Sequence, residues 1–147
     1  MKIPQLRNIC VDTLRDGRHK HGLATGIVSH IYDDNYEVFA VDSETGIPQA
    51  GDIFVLRAVY CREVVGKELS LAITQIDSTP GMCLHPLYEI IPCEVYISSP
   101  LIVNGEIWGT LNYTSFEIRE LPFSSDDIAY NEYQAAIIAA AIEKTDF

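Results

Sequence analysis

The stretch YISSPLIVNGEIWGTLNYTS, residues 96–115, decides the fold. Two runs rich in β-branched and aromatic residues flank Asn104-Gly105, and this dipeptide suits a two-residue type I′ turn, in which both central residues need positive φ. The pattern therefore predicts a β-hairpin of residues 95–103 and 106–115. A two-residue turn without irregularity would place Pro100 opposite Gly109 and Ile97 opposite Asn112.

This pairing divides the hairpin into two faces. One face is apolar with a gap at Gly109, and we expect the gap to let a terminal helix approach the sheet. The other face combines Trp108 with the polar side chains of Ser99, Thr110 and Asn112. We expect these polar groups to face a binding pocket, although structural water could equally occupy them.

The segments before the hairpin predict a helix and further strands. Residues 5–16 carry apolar side chains at the spacing of an amphipathic helix. Residues 26–32 and 36–41 read as strands joined by a turn at Asp33, Asp34 and Asn35. Because the second of these strands is apolar on both faces, we expect the sheet to be covered on both sides. Short strands over 53–56 and 69–74, and short helices over 60–65 and 86–91, complete this part.

The last helix is predicted to begin at Ser124, a residue type that caps helices, followed by an acidic first turn. Its predicted buried stripe consists of Ile128, Ala135, Ile138, Ala139 and Ile142, widened by Tyr130, Tyr133 and Ile137.

Together these elements predict a single α+β domain over residues 1–147. A central antiparallel sheet of five to six strands spans residues 26–116. The N-terminal helix, residues 1–20, and the C-terminal helix, residues 124–145, are expected to pack together on one face. Short helices and loops would cover the other face.

Composition excludes several classes of function. The formal net charge of −11 opposes binding to nucleic acid and to anionic membranes. The four cysteines, at positions 10, 61, 83 and 93, form no C-x-x-C pair, which favours a reduced, cytoplasmic protein. No membrane span, signal peptide or familiar catalytic motif is evident, so we predict that the chain is not an enzyme.

The sequence resembles a GAF domain, a fold common in signalling proteins. The resemblance rests on VYCREVVGKE (59–68), LHPLYE (84–89), the hairpin and IRELPFSSDDI (118–128). The residues that carry its pattern are Pro100, Gly109, Arg119, Phe123 and Asp127. The resemblance implies a six-stranded sheet with a small-molecule pocket on the face away from the terminal helices. It also implies dimerisation through those helices and an association with histidine-kinase or cyclase modules.

Four residues outside the hairpin join the candidate ligand site: Tyr60, Cys61, His85 and Tyr88. His85 and Tyr88 would hydrogen-bond a polar ligand edge, or else cap and pack a short helix. Cys61, next to Arg62, is either a redox-sensitive thiol or an inert, half-buried one.

Two further patterns have a structural and a functional interpretation. The His19-Lys20-His21 sequence is a weak metal-binding pattern and otherwise a solvated helix end. Arg119 is expected to pair with Asp126 or Asp127, and Phe123 to pack beneath the same loop.

Three functions follow as hypotheses. The first is a sensory domain that binds a small molecule non-covalently and signals through its terminal helices. The second is a dimerisation module without a ligand. The third is a bilin photoreceptor, although Leu84 separates Cys83 from His85, whereas the resemblance implies a histidine immediately after the attachment cysteine.

Overall fold

A computed structural model describes residues 1–46, 48–55, 71–73, 95–115 and 121–147. Within these ranges, the helices are α1 (Ile3–His21) and α2 (Ser125–Glu143). The strands are β1 (Thr25–Tyr32), β2 (Asn35–Ser43), β3 (Ile53–Val55), β4 (Leu71–Ile73), β5 (Val95–Val103) and β6 (Glu106–Ser115). The short helices predicted at 60–65 and 86–91 lie outside the described residues.

The described strands form one antiparallel sheet in the order β3-β2-β1-β6-β5-β4. Both predicted hairpins are present. Asn104 and Gly105 have φ of 53° and 81°, as a type I′ turn requires, and Asp33 and Asp34 have φ of 49° and 62°. The predicted α+β class and the placement of both terminal helices on one face are confirmed.

Each helix has well-defined ends. α1 ends at Gly22, which has φ of 69° and donates its N–H to the carbonyl of Arg18. The Arg18 guanidinium reaches the β2 strand, with Nη1 2.7 Å from Asp42 Oδ2. α2 begins with a capping box, in which Ser124 Oγ accepts from the Asp127 amide and Asp127 Oδ2 accepts from the Ser124 amide.

The buried stripe of α2 is narrower than predicted. Ala135, Ile138 and Ile142 are buried, but Tyr133 is 66% exposed and Ile137 is 43% exposed. The predicted widening is wrong for these two side chains, because a residue two positions from Ala135 lies about 200° around the helix. They point away from the sheet.

Two β-bulges flank β1. In the β5–β6 pair, Leu101 is opposite Gly109 but Ile102 is opposite Ile107, so Trp108 is an extra residue in β6. In the β1–β2 pair, Val28 is opposite Ala40 but Ser29 is opposite Val38, so Phe39 is an extra residue in β2.

The predicted hairpin register is right next to the turn and wrong beyond the bulge at Trp108. Pro100 pairs with Thr110 rather than Gly109, and Ile97 pairs with Tyr113 rather than Asn112. Because side chains alternate between faces, a shift of one residue exchanges the faces of one strand relative to the other. Ile97 and Tyr113 therefore share the helix-covered face.

The close neighbour of Gly109 is the β1 strand and not a helix. A Cβ atom added at Gly109 would lie well inside van der Waals contact with the Ser29 carbonyl oxygen and 2.7 Å from its carbon. Both atoms belong to the β1 backbone, which cannot move aside independently of the sheet. The predicted role for Gly109, admitting a helix, is thus corrected.

The centre of the sheet is buried on both sides. On the helix face, Val28, Leu111 and Tyr113 are fully buried. On the opposite face, Ser29 and Val38 have no exposed surface either. The prediction that the sheet is covered on both sides is confirmed for its central strands.

We expect Gly109→Ala to destabilise the fold by at least ~2 kcal/mol, because the methyl group overlaps backbone atoms of β1. The measurement is urea unfolding followed by circular dichroism. Gly22→Ala is the matched control, since a Cβ there meets nothing within 4 Å and only the positive φ is strained. Its expected effect is about 1 kcal/mol, and equal losses in the two variants would contradict the close-approach account.

Candidate functional site

A cluster of polar side chains lies on the sheet face opposite the helices. It comprises Ser29 of β1, Tyr36 of β2, and Thr110 and Asn112 of β6, and is called the polar cluster below. All four residues are buried, with at most 4% of their surface exposed. Ser98 of β5 is also fully buried and pairs with Asn112 in the strand register.

The polar cluster is connected by short hydrogen bonds. Ser29 Oγ and Thr110 Oγ1 are 2.7 Å apart, and the Thr110 amide donates to Ser29 Oγ at 3.0 Å. The Asn112 side-chain Nδ2 donates to the Tyr36 hydroxyl at 3.0 Å and to Thr110 Oγ1 at 3.3 Å. One carboxamide thus joins groups from β2 and β6.

Strand register explains how these four residues meet. Thr110 and Asn112 are two positions apart on β6 and so share a face. Ser29 lies directly opposite Thr110 in the β1–β6 pair. Tyr36 belongs to β2, beyond β1, and its length lets the hydroxyl reach Asn112.

The chemistry of the polar cluster is neutral. Its members offer hydroxyl and carboxamide groups, which can donate and accept hydrogen bonds but carry no charge. Buried groups of this kind are costly if left without partners, at about 1–3 kcal/mol each. Such a surface suits an uncharged ligand edge with alternating donors and acceptors.

The structure brings together only part of the predicted ligand site. Thr110 and Asn112 are neighbours in the polar cluster, as expected. Ser99 lies on the other face, where its Oγ accepts from Asn131 Nδ2 of α2 at 2.8 Å. The predictions for Tyr60, Cys61, His85 and Tyr88 fall outside the described residues.

Trp108 also lies on the helix side, contrary to its predicted place beside Asn112. Its ring stacks on His30 with centroids 4.0 Å apart and planes 9° apart. Phe39, the other bulge residue, meets Trp108 edge-on at 5.5 Å. Both bulges therefore turn an aromatic ring toward the helices.

Sequence reasoning missed Ser29 and Tyr36. In the sequence, Tyr36 reads as an apolar residue of its strand, although a buried tyrosine hydroxyl usually has a hydrogen-bond partner. Ser29 sits within an apolar strand, and a serine at such a position is the signal that could have identified it.

Three other residues of the GAF-like sequence pattern make structural contacts. Pro100 lines a groove with Ile102 and the alanines of α2. Phe123 lies edge-on to His21, with ring centroids 5.9 Å apart. Asp127 belongs to the capping box of α2, and Arg119 lies outside the described residues.

Two titratable side chains of α1, His21 and Cys10, are buried. His21 is buried beside Tyr113 and Tyr130, whereas His19 is exposed, so the two histidines do not form one surface pair. Burial raises the pKa of the Cys10 thiol to about 12, which keeps it protonated and unreactive at neutral pH. The other three cysteines lie outside the described residues.

In the part of the chain that the structure describes, neither helix combines the length and apolar character needed to cross a membrane.

Sequence comparison identifies one relative of very different size. No protein-family model matches the chain. A translation initiation factor IF-2 from Geotalea daltonii is 30% identical over 105 residues, covering 69% of this chain. The chain spans only 11% of that factor's length.

Structure comparison shows the fold over nearly the whole chain. The blue-light-absorbing PixJ GAF domain of Thermosynechococcus elongatus has a TM-score of 0.78 at 17% identity, covering 96% of this chain and 86% of its own. A phycocyanobilin-bound GAF domain from a cyanobacterial phytochrome has a TM-score of 0.78 at 18% identity, covering 95% and 85%.

A third structure places the same fold inside a larger protein. The photosensory core module of Stigmatella aurantiaca phytochrome has a TM-score of 0.74 at 17% identity, covering 95% of this chain and 33% of that one. The chain therefore has the GAF fold, as the sequence resemblance predicted.

The stacked His30–Trp108 pair predicts a pH-dependent fluorescence signal from the single tryptophan. Burial lowers the pKa of His30 below its ordinary value of about 6.5, with the Glu37 carboxylate opposing the shift. Trp108 fluorescence should therefore fall only as the pH drops below about 6.5, where His30 becomes an imidazolium that quenches the indole.

The lowered pKa of His30 also makes the free energy of unfolding depend on pH. The contribution of His30 to folding is present above about pH 6.5 and is lost as the pH falls toward the folded pKa. His30→Gln is the control for the fluorescence titration and should abolish the step. A midpoint above 6.5, or an unchanged step in His30→Gln, would contradict the stacking.

Proposed function

We propose that this chain, whose fold is that of a GAF domain, is a sensory domain that binds a small molecule non-covalently. The polar cluster is the part of the proposed site that lies within the described residues. The function is regulatory rather than catalytic, and the chain acts in the cytoplasm. Tyr60, Cys61, His85 and Tyr88 remain part of the proposal.

The observation that carries this proposal is a fully buried, hydrogen-bonding surface on the sheet face away from the helices. Packing alone would favour apolar side chains at Ser29, Thr110 and Asn112, because buried polar groups stabilise a fold only when all are paired. These hydroxyl and carboxamide groups bond to one another, and a ligand edge would exchange hydrogen bonds with them. The GAF structures named for bound phycocyanobilin show that this fold can hold a small molecule.

The neutral character of the polar cluster indicates the class of ligand. We infer a compound with one uncharged edge of carbonyl, amide or hydroxyl groups, such as a nucleobase or the lactam of a tetrapyrrole. The proposed output runs through α1 and α2 to a histidine-kinase or cyclase module. A response requires that the ligand bind two states of the domain with different affinity.

We expect Ser29→Ala to weaken ligand binding about three- to tenfold, the range for one neutral hydrogen bond. The measurement is thermal shift and calorimetry against a panel of nucleobases, nucleosides and small amides, with biliverdin as a separate arm. Ser99→Ala is the matched control, since it removes an equally buried serine hydroxyl from the helix face. Equal effects of the two substitutions on binding would contradict the assignment of the site.

The experiment with biliverdin distinguishes a bilin photoreceptor from a sensor of another small molecule. A coloured protein that keeps its pigment after denaturation would indicate covalent attachment, in contrast to the non-covalent site proposed here. A stabilising colourless ligand, with no bilin uptake, would favour the metabolite sensor. A folded protein that binds none of the probes would favour the dimerisation module over the sensor.

A specific observation favours homodimerisation as a second role. The outer surface of α2 presents Tyr133 and Ile137, and beside it a groove of about 280 Å³ is lined by Pro100, Ile102, Glu132 and three alanines. Small side chains let another helix approach closely, and large exposed apolar ones fill such grooves. The proposed partner is a second copy of this chain.

Tyr133→Glu should raise the dimer dissociation constant at least ~10-fold, because it would bury an unpaired charge in the interface. Sedimentation equilibrium measures this constant, with circular dichroism to check folding. Asn8→Glu, on the exposed surface of α1, is the control for one added negative charge. Unchanged association in Tyr133→Glu would exclude this surface.

A further inference from the structure

We propose that Tyr113 is a positioning residue that couples the polar cluster to the packing of α1 against α2. This inference rests on the proposed function, because it describes how occupancy of the ligand site would reach the terminal helices. It identifies one side chain as the connection, and that side chain touches both helices.

Tyr113 follows Asn112 directly in β6, so the two side chains leave the strand on opposite faces. Asn112 is held in the polar cluster by its bonds to Tyr36 and Thr110. Tyr113 is fully buried on the helix face. A change in the twist of β6 at Asn112 must therefore also move the Tyr113 ring.

The Tyr113 hydroxyl lies between α1 and α2. It donates to Gln134 Oε1 of α2 at 2.7 Å and lies 3.5 Å from the Thr13 carbonyl of α1. Gln134 Nε2 donates to the same Thr13 carbonyl at 3.1 Å and to the Tyr130 hydroxyl at 3.0 Å. These groups form a closed polar junction of one strand and two helices.

Glycines in α1 and β1 make room for this ring. A Cβ added at Gly17 would overlap the Tyr113 hydroxyl and would lie 2.8 Å from Gln134 Oε1. A Cβ added at Gly26 would lie 2.8 Å from Tyr113 Cε1. Tyr113 is therefore fitted closely enough that a small displacement changes its contacts with α1.

The energy of the junction suits a coupling role. Breaking the Tyr113–Gln134 bond would leave a buried carboxamide oxygen without its donor, at a cost comparable with typical coupling between sites. Among the described residues, the other hydrogen bonds between the sheet or its hairpin turn and α2 touch only that helix: Asn131 donates to Ser99 and to the Leu111 carbonyl, and Glu143 accepts from the Asn104 amide. Tyr113 alone among these contacts joins both.

The test uses amide hydrogen exchange and needs no ligand. Tyr36→Phe keeps the aromatic ring but removes the hydroxyl that accepts from Asn112, and so perturbs the polar cluster. Exchange rates are measured over residues 13–17 of α1 and 131–137 of α2, after correction for the global stability of each variant. Tyr36→Phe should change these rates roughly fivefold or more, the lower end of typical coupling.

In a Tyr113→Phe background, Tyr36→Phe should leave the helix rates unchanged while still altering those of β2 and β6. Gln134→Leu removes the same contact from the α2 side and should have the same effect. In a Ser99→Ala background the response of both helices should persist. A helix response that survives Tyr113→Phe, or is absent from the parent protein, would overturn the inference.

Failure of this inference and failure of the proposed function remain distinguishable. A protein that binds no probe but shows the Tyr113-dependent exchange response keeps the coupling and loses the sensor. A protein that binds a probe through Ser29 but lacks the response keeps the sensor and loses this coupling residue.

Discussion

The close contact between the Gly109 backbone and the Ser29 carbonyl is the constraint on which the rest of the structure depends. It joins β1 and β6 at the point where Trp108 is inserted as an extra residue. The bulge reverses the faces of one hairpin strand relative to the other. Ile97 and Ser99 of β5 consequently face the helices together with Tyr113, while Thr110 and Asn112 of β6 face the opposite side.

The two bulges give the two faces of the sheet different environments. On the helix side, the bulge residues Phe39 and Trp108 extend the apolar core, and α1 and α2 meet around Tyr113. On the other side, the polar cluster gathers hydroxyl and carboxamide groups without any charge. Adjacent residues of β6 thus serve a proposed binding surface and a helix junction, which gives a short physical path between them.

Much of the fold follows from local sequence signals. The Asn104-Gly105 turn and the Ser124 cap each have a strong stereochemical preference, and each lies where the sequence predicts. Bulges lack such a signal, because they depend on contacts between strands distant in the chain. The predicted hairpin register is therefore wrong over Val95–Leu101, although both strands and their turn are predicted correctly.

The candidate site was predictable only in part for the same reason. Thr110 and Asn112 follow from alternation within β6 once its inner face is known. Ser99 and Trp108 were misplaced because their faces depend on the bulge, and Ser29 and Tyr36 became visible only when the order of the strands was established. A polar residue within an apolar strand has meaning mainly through its neighbours across the sheet.

The proposed site depends on the burial of the polar cluster away from water, on the second face of the sheet. Asn112→Asp tests it most directly, because the change is nearly isosteric but introduces a group that ionises with an ordinary pKa of about 4. In a buried site the pKa of this carboxyl is raised, so the folded protein disfavours its ionised form.

The measurement is the free energy of unfolding of Asn112→Asp and of the parent protein in urea between about pH 4 and 8. The account predicts that the variant loses stability relative to the parent as the pH rises, by about 1.4 kcal/mol for each unit by which its pKa is raised. A stability difference that stays constant across this range would show that water reaches Asn112, and would contradict the account.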